Sequence, residues 1–561
     1  MDQTAFPMKF FSILFPALAC FVAVGQPLAA QTSTNPISPA MVEHAGKLIG
    51  LEFPVEKQEM MRDGLNARLS EFQALRKIPL PNDVPPAVLF NPLPVGFKFE
   101  TARHRPKWNP PRNVELPKKP DDLAFYSVAQ LGALIKSKKI SSERLTGFYL
   151  ARLKQFGPRL ECVVTLTEDL AIQQARRADA ELARGIYRGP LHGIPYGAKD
   201  LLATKGIRTT WGSVPFQQQM FSADATVVRR LDEAGAVLVA KLTLGELAMG
   251  DVWFGGLTRN PWNPRLGSSG SSAGSAAATS AGLVAFAIGS ETHGSIVSPC
   301  TVCGVTGLRP SYGRVSRHGA MALSWSMDKL GPICRTVDDC ALVFNAIRGP
   351  DGIDQTLYDA PFNYHPPVRL ARLRIGYLKA DFEKKKNNTN DLATLRLLES
   401  LGAKLIPIEL PKFPVSALGM ILSAEAGAAF DELTRSGKVD LLVRQARSAW
   451  PNAFRQARFI PAVEYLQAQR IRFLLIQEMA KLMEKIDVYV APSDGGDNLL
   501  LTNLTGHPCI VMPNGFSSAT PPTPTSITLV GKLFGEANLL GVAKACQDAD
   551  PFHERHPNLS D

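Results

Sequence analysis

From about Asp121 onward, apolar residues recur in two patterns that take turns along the chain: helical spacing and short continuous runs. Helical spacing covers 125–136 and 142–156, with Ser141 or Ser142 as the cap of the second, and then the Ala-rich stretch 170–184. It returns at 225–234, 338–347, 391–401 and 463–483. The short runs at 236–240, 283–288, 373–378, 404–408 and 488–491 read as buried strands. Helices alternating with strands predict an α/β body around a largely buried sheet, mixed or parallel. No internal repeat interrupts it.

The first 120 residues follow other rules. Met8-Lys9 precedes an apolar run that includes Phe11, Ile13, Leu14, Phe15, Leu18, Phe21 and Val22. Gly25, Gln26 and Pro27 end it, and Leu28-Ala29-Ala30 follows. A charged start, an apolar middle and a small-residue end form the layout of a secretory signal peptide, here 1–30. The run is shorter than the ~20 residues of a bilayer span and contains Pro16. The expectation is therefore a cleaved leader, no stable membrane insertion afterwards, and a periplasmic or secreted protein. Residues 31–120 read as an accessory extension. Helical spacing runs over 40–76 with a break at Phe53-Pro54, and Pro79, Pro81, Pro85, Pro86, Pro92 and Pro94 then forbid regular helix or central strand. The main body is expected at 121–555.

Composition narrows the function. Hydrophobic residues are 45% and charged residues 20% of the chain, as in soluble globular proteins. The net charge of +11 is not gathered into a block; its densest run, Lys384-Lys385-Lys386, leads into Asn387 and Asn388 as a solvated loop would. No nucleic-acid partner is expected. Beyond the leader, seven cysteines are too few and too scattered for a disulfide framework. Cys300 and Cys303 lack the further ligands that zinc requires. Neither a metal nor a cofactor is expected.

Two segments carry candidate chemistry. In 193–200, Lys199 follows a compact Gly/Pro turn among apolar neighbours. Desolvation there favours the free amine, which can serve as a base near neutral pH, although an exposed turn lysine would show the same pattern. Residues 267–275 form a Gly/Ser run that composition alone would make a linker. It is boxed, however, between Trp262-Asn263-Pro264 and an Ala-rich helix followed by an apolar strand. The Lys-Ser/Thr of a P-loop and the spacing of a dinucleotide fingerprint are both missing. A structured turn that presents hydroxyls fits better, and a further Gly- and Ser-bearing stretch follows at 289–299.

Together, G-I-P-x-x-x-K-D, S-S-A-G-S-A-A-A and G-S-E-T-H-G-S-I-V-S-P resemble the amidase signature family. The stretches 304–316, 328–336 and 503–508 match it too, so the similarity spans roughly 121–545. The resemblance implies a large mixed β-sheet covered by helices on both faces. It also implies hydrolysis of a small-molecule or peptide carboxamide to a carboxylate and ammonia or an amine. Ser295 matches the nucleophile, Ser271 the serine that follows a cis peptide bond (Gly270–Ser271 here), and Lys199 the base. Neutral Lys199 would draw the proton of Ser295 through Ser271 and return it to the leaving amine. The N–H groups of Thr292, His293, Gly294 and Ser295 would hold the oxyanion, and Ser272 would orient Lys199.

Three positions depart from the common pattern. Glu291 replaces Asp and keeps a carboxylate. His293 replaces Gly beside the nucleophile. Val297 replaces an Arg that glutamine-using members place near the substrate carboxylate. That loss, with the leader, points toward peptide and general amidases and away from the rival reading, the glutaminase subunit of a tRNA-dependent amidotransferase. A non-catalytic scaffold is the alternative from another class, and the presence of all three chemical residues argues against it. Trp253, Phe254, Trp262 and Trp325 lie near the motifs as core residues or as walls of an acyl pocket.

Overall fold

The computed structural model describes residues 37–384, 389–493 and 495–559. The leader lies outside the described residues, as does most of the Lys384–Asn388 run. The chain divides into two compact units, Met1–Lys77 and Ile78–Asp561. In the first, Ser38 caps helix Pro39–Leu48, whose first residue is proline, and Pro54 stands at the start of helix Val55–Leu75. Asn66 Oδ1 accepts from the Ile37 N–H at 3.0 Å and Arg62 Nε donates to Ile37 O at 2.9 Å. Residues 78–120, grouped above with the extension, belong to the second unit. Proline leaves this segment without helix until Pro120–Phe125, so its polar groups pair with the body instead. Asn82 Nδ2 donates to Ala322 O at 2.9 Å, the Ala322 N–H donates to Asn82 Oδ1 at 2.7 Å, and the Lys107 N–H donates to Tyr364 O at 2.8 Å.

The second unit is built on one eleven-stranded sheet. In chain order its strands are β1 (Val163–Leu166), β2 (Pro195–Lys199), β3 (Val237–Leu242), β4 (Phe286–Glu291), β5 (Thr306–Arg309) and β6 (Lys329–Cys334). They continue with β7 (Ile375–Leu378), β8 (Leu405–Ile408), β9 (Val488–Pro492), β10 (Cys509–Phe516) and β11 (Pro524–Gly531). Their spatial order is β1-β3-β2-β4-β6-β5-β10-β11-β9-β7-β8. β2 is parallel to β3 and β4, β7 is parallel to β8 and β9, and the remaining pairs are antiparallel. The sheet is mixed.

Alternate residues of the inner strands enter different apolar cores. Leu238, Phe286, Ile288, Val488, Val490 and Ile510 join one, while Val237, Val239, Ala287, Tyr489 and Val511 join the other. The two-residue period of a strand puts these sets on opposite faces. Helices Val128–Lys136, Val337–Ile347 and Glu536–Ala549 pack into the first core; Ala273–Ser280 and Ala462–Lys485 pack into the second. Helices therefore cover both faces, as expected of an α/β body. Among the described residues, no helix is long and apolar enough to cross a bilayer.

Candidate active site

In the parallel pair β2–β4, Tyr196 lies opposite Phe286 and Ala198 opposite Ile288. Lys199 ends β2, and Ser290 and Glu291 end β4, so the sheet delivers all three to one place. Lys199 is fully buried. Its Nζ lies 2.8 Å from Ser271 Oγ, 2.8 Å from Ser290 Oγ and 3.1 Å from Ser272 Oγ. Three hydroxyls satisfy an amine without supplying negative charge. Burial accordingly holds Lys199 well below the usual lysine range, and the carboxylates of Asp328 and Glu291 offset this only in part.

Ser271 and Ser272 occupy the turn that leads into helix Ala273–Ser280, every residue of which is buried. This is no linker. The Gly270–Ser271 peptide bond is cis. Position 270 has no space for a side chain, since a Cβ there would come within 1.8 Å of Gly250 O. The Ser269 N–H donates to Asp251 Oδ2 at 2.9 Å and fixes the turn from the other side. Ser272 then joins three segments. Its N–H donates to Ser295 O at 3.1 Å, and its hydroxyl donates to Ser290 O at 3.0 Å and accepts from the Ser290 N–H at 3.1 Å.

Glu291 shapes the turn that bears Ser295. Its Oε2 accepts the N–H groups of Ile296 and Val297, each at 2.9 Å. Its Oε1 accepts from Arg309 Nη1 at 2.6 Å and Asn503 Nδ2 at 2.8 Å. Burial alone would push this carboxyl up, but the Arg309 guanidinium, with Asn503 and the Val297 N–H, outweighs it and holds the pKa at about 2. Thr292 Oγ1 donates to Asp328 Oδ1 at 2.5 Å, while Asp328 Oδ2 takes the N–H groups of Leu323 and Ser324. Gly294 has φ +87°, and a Cβ there would meet Leu499 Cδ2 at 2.9 Å, so both conformation and space demand glycine. None of the N–H groups of Thr292, His293, Gly294 and Ser295 donates to a described acceptor. Ser295 Oγ likewise makes no hydrogen bond among the described residues, and the residue is 8% exposed. The His293 side chain is exposed and Val297 is buried.

The structure thus gathers Lys199, Ser271, Ser272 and Ser290 around one point and ties the Ser295 backbone to Ser272, with the N–H groups of 292–295 unengaged among the described residues. An amine that burial biases toward its neutral form, a hydroxyl that can relay a proton, a free hydroxyl and a run of N–H donors form the set needed for nucleophilic acyl transfer. Sequence reasoning missed Ser290 as a partner of Lys199; nothing in its motif set its hydroxyl apart. Arg309 and Asn503 entered only as parts of matching stretches, and their charge and amide, buried beside a carboxylate, were the available signal. Two of the aromatics are framework. Trp253 is buried and Trp262 Nε1 donates to Cys303 O at 2.9 Å, while Trp325 is half-buried and its backbone carbonyl accepts from Tyr312 Oη at 2.7 Å. Phe254 packs edge-on against Trp253. The seven described cysteines are free and buried. No cluster of three His, Cys, Asp or Glu able to hold a metal occurs among the described residues.

Comparison with known proteins gives a consistent picture. A family model described as "Amidase" matches residues 144–498. A glutamyl-tRNA(Gln) amidotransferase subunit from Moorella thermoacetica is 34% identical over 490 residues, covering 78% of this chain and 99% of the relative. Among solved structures, the native peptide amidase from Stenotrophomonas maltophilia superposes with a TM-score of 0.69 at 29% identity, covering 78% of this chain and 99% of that one. A glutamyl-tRNA(Gln) amidotransferase subunit from Thermotoga maritima superposes with a TM-score of 0.66 at 26% identity, again over 78% of this chain and 99% of that one.

Proposed function

This chain belongs to the amidase family, enzymes that act on carbon–nitrogen bonds of amides, and from that premise we propose an exported hydrolase that cleaves a carboxamide through an ester on Ser295. The observation that carries the reading is the fully buried Lys199 amine, held by burial well below the usual lysine range, 2.8 Å from Ser271 Oγ. A serine hydroxyl attacks a carbonyl poorly until a base removes its proton. As Ser295 Oγ bonds to the amide carbon, its proton passes to Ser271 Oγ while Ser271 gives its own to Lys199 Nζ. The N–H groups at 292–295 receive the oxyanion; such donors contribute about 3 kcal/mol each to the transition state. The proton then returns along the same path to the leaving nitrogen, which departs as ammonia or an amine. Water repeats the sequence in reverse on the ester and releases the carboxylate. Ser272 and Ser290 orient the lysine, and Glu291 holds the nucleophile turn. Export rests on the layout of residues 1–30, and N-terminal sequencing of the protein recovered from expressing cells tests it, with Gln31 the expected first residue.

The decisive experiment is labelling with a fluorophosphonate together with hydrolysis of simple primary amides. Ser295 is expected to carry the label, and Ser295→Ala to lose both label and at least 1000-fold in kcat/KM, roughly the scale of nucleophile removal. Unchanged hydrolysis by a folded Ser295→Ala chain overturns the assignment. A second reading, a glutaminase that feeds ammonia to a partner, draws on the 34% identity to an amidotransferase subunit. Glutamine hydrolysis by a protein that keeps its leader and stays in the cytoplasm selects that reading instead.

A further inference from the structure

The loop 322–328 leads into β6 and braces the turn 292–295. Asp328 is the link: its Oδ1 accepts from Thr292 Oγ1 at 2.5 Å, and its Oδ2 accepts the N–H groups of Leu323 and Ser324. Lys329 pairs with Glu291 across β4 and β6, so the loop ends directly beside the nucleophile turn. Irregular backbone of this kind takes its shape from the groups that satisfy it. Two helix side chains hold its middle. Glu425 accepts from Ser324 Oγ at 2.6 Å, from the Ser326 N–H at 3.0 Å and from Ser326 Oγ at 2.7 Å. Arg472 Nη1 donates to Ser326 Oγ at 2.8 Å and its Nη2 to Ser326 O at 2.9 Å.

Two further holds come from the proline-rich segment. Asn82 satisfies both backbone groups of Ala322, accepting its N–H at 2.7 Å and donating to its carbonyl at 2.9 Å. The same amide nitrogen reaches Ala429 O at 3.4 Å, at the end of the helix Met420–Ala429 that carries Glu425. Phe90 places its ring centroid 3.6 Å from the guanidinium carbon of Arg472. It also packs edge-on against Tyr312, whose hydroxyl donates to Trp325 O at 2.7 Å. A ring over a guanidinium attracts the cation and keeps water from its hydrogen bonds, which strengthens those to Ser326. Asn82 thus fixes the first residue of the loop and Phe90 its centre, while Asp328 fastens the end to Thr292. Both residues lie before residue 144, where the match to the family model begins.

We propose that Asn82 and Phe90 are positioning residues for the turn 292–295: segment 82–90 is a strap that acts through the loop 322–328 and Asp328 to fix Thr292 and the N–H donors beside it. This rests on the reading above, in which those N–H groups receive the oxyanion. The test measures hydrolysis of simple primary amides, with kcat expressed per Ser295 titrated by fluorophosphonate. Asn82→Ala and Phe90→Leu should each lower kcat about 10-fold with KM little changed, because the oxyanion exists only in the transition state. The exposed Val88→Ala, in the same strap, should change neither. Inhibition by a trifluoromethyl ketone, which adds to Ser295 as a tetrahedral oxyanion, should weaken by the same factor as kcat. In a Thr292→Val background the loss from Asn82→Ala should largely vanish, since the path through Asp328 is already cut. A role in stability alone would lower the melting temperature and leave kcat per titrated site unmoved. Hydrogen exchange separates the strap from the catalytic assignment, since no turnover is needed. Asn82→Ala should speed exchange in 289–299 and leave β2 and β3 as in wild type, and Phe90→Leu gives the same readout should Asn82→Ala not fold. Faster exchange there supports the strap even if no amide is hydrolysed. Exchange unchanged in 289–299, or kcat losses that are absent or simply additive with Thr292→Val, overturn it even if Ser295 proves to be the nucleophile.

Discussion

At Lys199 and Glu291, burial acts on two ionisable groups with different outcomes, favouring the uncharged amine in one and failing to neutralise the carboxylate in the other. Hydroxyls surround the lysine and give it hydrogen bonds without countercharge, so the ammonium form is disfavoured. Its lowered pKa means that the cost to stability is largest below the folded pKa and fades as pH rises toward the ordinary lysine value of about 10.4. Lys199→Met should therefore be inactive yet at least as stable as wild type at pH 7, with the advantage shrinking at high pH, as thermal melts can show. Glu291 has a full-charge partner in Arg309 and a pKa of about 2. Its stabilising contribution is complete above the ordinary value of about 4.3 and is lost as pH falls toward 2. Glu291→Gln should melt well below wild type at pH 7, with the gap closing through that window.

At the scale of elements, the site is two turns fastened by backbone contacts, and here the sequence was only partly legible. Motif order brought Lys199, Ser271 and Ser295 together before any fold was known. The strands that carry them were harder to see. Pro195-Tyr-Gly-Ala-Lys and Lys-Leu-Gly-Pro-Ile-Cys look like turns, yet they are β2 and β6. In β6, Gly331 is present because a Cβ would come within 1.9 Å of Leu308 O on β5. Close approach between strands uses the residues that propensity assigns to loops. The apolar run at 283–288 overlaps its strand only in part, since the strand begins at Phe286 and continues to Glu291, past the last apolar position. The same closeness makes a test. Gly270→Ala forces a methyl onto Gly250 O and must spread the two loops, so activity should fall at least 100-fold, a loss of the size that ~1 Å misplacement produces. Circular dichroism should still report a folded chain.

At the scale of the molecule, helical spacing over 40–76 correctly marked helices Pro39–Leu48 and Val55–Leu75, because a two-helix pattern is local information. The division at Lys77 was not visible, since it depends on which distant carbonyls and amides the proline-rich segment finds. Charge behaved in the same way. The total of +11 said nothing specific, whereas one buried arginine, Arg309, sets the charge of the carboxylate that holds the nucleophile turn.

Lys199 and Glu291 stand at the ends of β2 and β4, third and fourth in a sheet of eleven. Those strands are flanked on both sides by others, so their amide protons should exchange last, when the whole unit opens. No hinge or lid has to close for the lysine and its serines to meet. Heating should then extinguish amide hydrolysis and native circular dichroism at the same midpoint. The enzyme would act as its own thermometer, its activity a direct readout of the fraction still folded.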